Sequence, residues 1–259
     1  MHCLGVSLMV WWLWVTLGGA VVGSLMGVFG VGGSSVATPV LALLGIPPIV
    51  AVASPLVATI PGAALGAVPY VRSGDARPKA AAWSLLGAVP TTIVGALLSR
   101  FVGGATLLVV SGVVLAVVGL RVLVPVEDAA REAGTRRRQN RVLLVIVAAG
   151  LGLFTGLLAN GGAFLLMPLY LLVFGLRMRQ AVGTSLLVVA VLSIPTLVTH
   201  WALGHVDWVV AAEFAGGLLP ASLVGAHLSS RFAGGVQRRA FGCFLIAFGV
   251  LFTLYRLLG

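Results

Sequence analysis

The chain has 259 residues, of which 60% are hydrophobic and 8% charged, with a formal net charge of +10 and a mean hydropathy of +1.15. A soluble domain carries about 25% charged residues, so this composition excludes a water-soluble fold and predicts an all-α integral membrane protein. The basic excess does not indicate nucleic acid, because the Lys and Arg residues lie almost entirely in short links between apolar runs, where the positive-inside effect puts them. Cys3 and Cys243 stand far apart without a CxxC neighbour, which excludes a disulfide framework and a zinc site.

The first apolar run, 5–28, has no positive n-region before it and continues past Trp14 without a cleavage signal. A first membrane helix is expected here, not a removed signal peptide. It runs into GVFGVGGSSVATP (27–39), which holds four glycines, two serines and a proline. Gly costs a helix interior roughly 1 kcal/mol and Pro about 3 kcal/mol, so the helix is expected to break. The short run beyond, 34–45, reaches only about 18 Å as a helix, against a hydrocarbon core of ~30 Å. Longer runs follow at 49–71, 80–99 and 104–124, and then the polar linker PVEDAAREAGTRRRQNR (125–141).

The second half repeats this order with runs at 142–160, a short 163–174, 180–200, 208–230 and 240–255. At an offset of 129, Gly23, Gly27, Gly32, Gly33 and Pro39 return as Gly152, Gly156, Gly161, Gly162 and Pro168. At an offset of 130, Ala51, Leu56, Gly74, Pro90 and Gly95 return as Ala181, Leu186, Gly204, Pro220 and Gly225. Such ordered self-similarity marks a tandem duplication. The expected units are a first transmembrane repeat over 1–124, a cytoplasmic linker over 125–141 and a second repeat over 142–259.

Charge decides how the short runs count among the 8–10 membrane segments. In the first copy the link after the short run, 45–48, has no basic residue, and the next, 72–79, has Arg72, Arg77 and Lys79. In the second copy the order reverses, with Arg177 and Arg179 in the first link and none in the next. Equivalent links then face opposite sides, which needs an odd number of crossings per copy. Counting the short runs as crossings puts 14 of the 16 Lys and Arg residues in the cytoplasm; leaving them out, as eight helices in parallel repeats, splits them 10 to 6. The positive-inside rule prefers the inverted scheme of five plus five crossings.

Inverted repeats with interrupted helices are a recurring transporter architecture, and irregular backbone at membrane depth needs protein or a wet cavity around it. A half-helix that starts inside the membrane aims free N–H groups and its positive dipole end into the interior, a ready anion site. Gly30, Gly32 and Gly33, with Ser34 and Ser35 as capping hydroxyls, are the expected site residues of the first copy. Asn160, Gly161 and Gly162 are their counterparts in the second. The GxxxG pairs Gly23/Gly27 and Gly152/Gly156 are expected instead to pack helices closely. No strand precedes the glycines and no Gly-Lys-Ser/Thr follows, so a nucleotide-binding loop is excluded.

The stretches GVFGVGGSSVATPVLALLGIPPIVAVASPL (27–56) and GLLANGGAFLLMPLYLLVFGLRMRQAVGTSL (156–186), each followed by a Gly-containing link and a Pro-containing helix, resemble the TauE/SafE sulfite-exporter family of membrane permeases. The resemblance covers roughly 10–255. It implies a multi-pass inner-membrane transporter of a small anion, such as sulfite, thiosulfate or sulfoacetate, with no enzymatic activity and no cofactor. The family pattern of Thr-Ser before Leu is met by Thr184 and Ser185, whereas the first copy has Ser54 followed by Pro55; Ser54, Thr184 and Ser185 join the expected binding residues on that basis. Glu213, His227 and His200 are the candidates for proton coupling, since ionisable groups within spans are functional by default. An anion channel and a non-transporting membrane partner of another protein remain the alternatives.

Overall fold

Proline and glycine set where the helices begin and end. The computed structural model describes residues 2–98, 117–123, 141–157, 165–229, 231–232 and 234–258. In chain order the helices are α1 (His2–Phe29), α2 (Gly33–Leu43), α3 (Pro48–Arg72), α4 (Pro78–Leu98), α5 (Arg141–Leu157), α6 (Leu166–Leu172), α7 (Met178–Ala202), α8 (Trp208–Ser229) and α9 (Gly234–Leu258). Residues 117–123 are also helical. Pro48 and Pro78 open α3 and α4, where the missing N–H costs nothing and the fixed φ suits a helix start. The helices α3 and α7 are each followed by a glycine with positive φ, Gly74 and Gly204, in the polar links read from the sequence.

Four stretches among the described residues are long and apolar enough to cross a bilayer: Trp11–Phe29, Ile49–Arg72, Met178–Ala202 and Trp208–Ser229. Val142–Gly156 is apolar but shorter. The expected run 104–124 is described only over 117–123, and nearly all of the 125–141 linker lies outside the described residues. The expected short run 163–174 carries the seven-residue α6, and the residues before it, 158–164, lie outside the described set. Large apolar side chains such as Leu86, Ile93, Ile194, Val198 and Val224 are exposed in the middle of helices. That arrangement suits lipid as the surrounding solvent. Among the described residues the buried polar groups of the side chains are Ser, Thr and Tyr hydroxyls and one Gln amide, with no buried carboxylate, imidazole or basic group.

The helices of the two halves interlock. The most extensive packing is α1 on α8 and α4 on α5; α3 lies against α8 and α7, α4 also touches α7, and α2 packs on α3 and α1. Glycines make the first two contacts backbone-to-backbone. A Cβ on Gly217 would stand 1.9 Å from Thr16 O and 2.8 Å from Ala20 N; one on Gly87 would stand 2.2 Å from Val145 O and 3.1 Å from Ala149 N. Gly23 faces Leu218 O at 2.3 Å, and Gly152 faces Ala88 O at 2.4 Å, by the same measure. The packing expected of the GxxxG glycines Gly23, Gly27 and Gly152 is what these contacts are, with close approach replacing the driving force that water supplies elsewhere.

Polar ties fix the links. The Arg77 backbone N–H donates to Thr184 Oγ1 at 3.1 Å, and the Asp207 backbone N–H donates to Ser54 Oγ at 3.0 Å. Asp75, in the α3–α4 link, forms an ion pair of 2.8 Å with Arg179 at the start of α7. The end of α3 therefore lies beside the start of α7, and the start of α3 lies beside the end of the α7–α8 link.

Candidate functional site

The break between α1 and α2 is built from its carbonyl end first. A helix leaves its last four C=O groups without intrahelical partners, and a chain in hydrocarbon must satisfy them from within. The Tyr70 hydroxyl donates to Gly27 O at 2.8 Å, the Gln237 amide donates to Val28 O, and the Ser185 hydroxyl hydrogen is shared between Gly30 O at 3.1 Å and Val182 O at 2.9 Å. The three donors come from α3, α9 and α7, so the end of α1 is held by both halves of the chain. Gly30 turns the chain with φ +68, and a Cβ there would stand 2.5 Å from Ser185 Oγ. Both the left-handed backbone and the close approach require glycine.

Three residues on, α2 begins. Its N-cap is Gly32, with extended backbone and no side-chain cap. This corrects the capping role expected of Ser34 and Ser35: the helix starts at Gly33, so both serines fall inside its first turn. Residues 29–34 are all buried, which puts the first N–H groups of α2, lacking intrahelical acceptors, in the protein interior. Two dipole ends meet at this break. The negative end of α1 is covered by the neutral donors Tyr70, Gln237 and Ser185, while the positive end of α2 carries no side-chain cap. The local balance favours an anion.

The sequence-derived residues divide between this break and the links. Gly30, Gly32, Gly33, Ser34 and Ser185 gather at the break. Ser54 and Thr184 are both buried but accept the backbone N–H groups of Asp207 and Arg77, and Thr184 also donates to Gln180 O at 2.6 Å; their geometry is that of ties between helices. Asn160, Gly161 and Gly162 lie outside the described residues. Glu213 is half-buried and accepts from Thr16 Oγ1 at 3.2 Å, and Thr16 is 14 residues before Gly30, or ~21 Å along a helix. His227 is exposed, with Nδ1 2.9 Å from Leu223 O, and His200 sits in the last turn of α7 with Nδ1 3.3 Å from His205 Nδ1. None of the three coupling candidates is buried at the break.

Sequence reasoning missed Tyr70, Gln237 and the Asp75–Arg179 pair. Tyr70 near a span end reads as an interfacial aromatic, and Gln237 stands in the polar link before the expected run 240–255. In the structure both are buried, and the Arg179 guanidinium lies 5.5 Å from the centre of the Tyr70 ring. Burial would raise the Asp75 carboxyl pKa, but hydrogen bonds from Ser73 and Arg179 and the nearby Arg179 and Arg77 charges outweigh it and hold the group below its ordinary 3.8.

Four described helices long and apolar enough to cross a membrane, with a buried helix break between α1 and α2, define the class of polytopic membrane proteins. The chain belongs to the Sulfite exporter TauE/SafE family, whose model matches residues 15–252. It is 30% identical over 249 residues to a "Probable membrane transporter protein" of Xylella fastidiosa (strain 9a5c), covering 91% of this chain and 93% of that one. It is 27% identical over 233 residues to the "Probable membrane transporter protein YjnA" of Bacillus subtilis (strain 168), covering 85% and 91%. No solved structure matches it significantly. The chain is thus a multi-pass membrane protein of a transporter family and not an enzyme.

Proposed function

We propose that this protein is a secondary transporter of a small anion, of the sulfur oxyanion or organosulfonate class such as sulfite, thiosulfate or sulfoacetate. The anion is held by backbone N–H groups where α2 begins, together with the equivalent start in the second half around Asn160, Gly161 and Gly162. The observation that carries this reading is the buried break itself, with its carbonyl end covered by neutral donors and its N–H end left without a side-chain cap. Sulfite is the anion named in the family description, and thiosulfate and sulfoacetate share its sulfur-anion chemistry. No ATP-binding motif occurs in the sequence, which supports movement that is gradient-driven or passive.

The transporter consists of two inverted repeats, 1–124 and 142–259, joined by a cytoplasmic linker. Support comes from contacts that recur at the offsets of the sequence repeat. Gly217 on Thr16 and Ala20 matches Gly87 on Val145 and Ala149, and Gly23 on Leu218 matches Gly152 on Ala88. The Arg77–Thr184 tie likewise matches the Asp207–Ser54 tie. The Asp75–Arg179 pair sets the 73–77 and 176–179 links on one face, as the charge pattern requires when the short segments cross.

Counterflow in proteoliposomes, with a panel of sulfite, thiosulfate, sulfoacetate, sulfate and short carboxylates, tests the function. Trans-acceleration by one of these anions is expected. Flux without trans-acceleration would identify a channel, and no flux with any anion would leave a scaffold. Topology is tested with single cysteines at Arg179 and Gly204 in a Cys-free background and an impermeant thiol reagent on intact cells. Residue 204 is expected to label and residue 179 to remain protected; the opposite pattern sinks the inverted scheme.

A further inference from the structure

The donors that cover the end of α1 leave one acceptor over. Tyr70 has a single hydroxyl hydrogen, and it goes to Gly27 O. The Gln237 amide has two, and they go to Val28 O and, at 3.0 Å, to Ser229 Oγ. Ser229 also hydrogen-bonds Tyr70. Gln237 is only 2% exposed, and among the described residues its Oε1 has no hydrogen-bond partner. Because the amide is fixed by its nitrogen against Val28 O and Ser229 Oγ, the oxygen is held beside the last carbonyls of α1. A buried carbonyl oxygen without a partner costs about 1–3 kcal/mol, and natural folds keep such groups where something else fills them.

Among the described residues, the oxygens joined in this hydrogen-bonded cluster are all neutral: Gln237 Oε1, the Gly27 and Val28 carbonyls, the Tyr70 hydroxyl and Ser229 Oγ. A set of neutral oxygens at the negative end of a half-helix suits a hard monovalent cation, and half-helix C-termini with freed carbonyls hold coupling ions in transporters of interrupted-helix design. A proton is a poorer fit, since no buried carboxylate or imidazole occurs among the described residues to carry it. A monovalent cation bound beside a monoanion also cancels the net charge on which the membrane potential acts, about 2.3 kcal/mol per elementary charge per 100 mV.

We infer that Gln237, Tyr70, Ser229 and the Gly27 and Val28 carbonyls form a sodium site at the C-terminal end of α1, back-to-back with the anion site at the start of α2. Its coupling role rests on the transporter reading above; its existence as a binding site does not. The site explains why a Gln is buried where the other fully buried polar side chains among the described residues are Ser, Thr and Tyr hydroxyls. It also places the two ions on opposite dipole ends of one helix break, so that each ion stabilises the backbone geometry the other needs.

The test is equilibrium binding of radiolabelled Na⁺ to the purified full-length protein, in buffer balanced with choline and free of sulfur anions and carboxylates. Saturable binding is expected, competed weakly by K⁺. Gln237→Leu removes the orphan oxygen and should weaken binding at least roughly ten-fold, the scale seen when groups around a metal are lost. Gln237→Glu keeps an oxygen, adds charge and should bind at least as tightly as the unmodified protein; it is the control should Gln237→Leu misfold. Absence of saturable Na⁺ binding to the unmodified protein, or equal binding in Gln237→Leu, overturns the site. Because no transported anion is present, Na⁺ binding without any anion flux would sink only the transport reading, and anion flux without Na⁺ binding would sink only this site.

Discussion

Two neighbouring glycines in α8 should respond to the same substitution with opposite signs. A methyl group on Gly217 would stand 1.9 Å from Thr16 O, 2.8 Å from Ala20 N and 2.9 Å from Thr16 C, all backbone atoms of α1. A carbon–oxygen contact is ordinarily about 3.3–3.6 Å, so α1 and α8 must separate by about 1 Å or more, since backbone cannot rotate away as a side chain can. Along that seam a gap of this size forfeits a quarter to a half of each dispersion contact, and overpacking of this kind costs roughly 1–3 kcal/mol. At ~2–4 °C per kcal/mol for chains approaching this size, Gly217→Ala should lower Tm by roughly 2–12 °C. Gly216 is exposed and a Cβ there meets nothing within 4 Å. Gly216→Ala should be neutral or raise Tm slightly, because Ala is better in a helix by about 1 kcal/mol. Thermal unfolding of the two purified variants in one detergent measures both. A Gly217→Ala protein melting within about 1 °C of the unmodified chain would refute the backbone-to-backbone seam, and with it the packing of α1 on α8 described above.

The remaining predictions concern the break and the link. Gly33→Ala and Gly162→Ala should each abolish most anion binding in a folded protein, because a methyl obstructs backbone approach; at Gly33 the three nearest atoms it meets are side-chain atoms of Thr59, Met26 and Leu218 at 2.9–3.3 Å, not backbone. Normal affinity in both variants would move the anion site elsewhere. Ser185→Ala leaves Gly30 O without its donor and should destabilise the protein by about 1–3 kcal/mol, read as a lowered Tm and slowed anion counterflow; an unchanged Tm would mean that the carbonyl needs no cover. The Asp75 carboxyl has its folded-state pKa held below 3.8, so the stability it contributes is present above about pH 4 and is lost as pH falls through the lowered value. The Tm deficit of Asp75→Asn should therefore be constant near neutrality and shrink in acid; a deficit that persists well below pH 3, about one unit under the ordinary carboxylate value, would show that the ion pair is not its source.

What the sequence determined by itself is whatever depends on local composition. Apolar length makes a span wherever the chain lies, so α1, α3, α4, α7 and α8 begin and end within a few residues of the expected runs. The cost of Gly and Pro in a helix is equally local, which is why the break after residue 29 and the short α2 were legible.

What only the tertiary structure decided is which partner each polar atom has. Ser54 and Thr184 look like ligand hydroxyls in sequence, yet each accepts a backbone N–H from a link in the other half, 153 and 107 positions away. Ser34 and Ser35 look like caps, but the extended backbone at Gly32 starts the helix one residue earlier. Tyr70, Ser185 and Gln237 become the cover of the carbonyl end of α1 only when α3, α7 and α9 converge on it. Hydrogen bonds and ion pairs reach about 3 Å, and no pattern along a chain fixes distances of that size between helices from different halves; packing does.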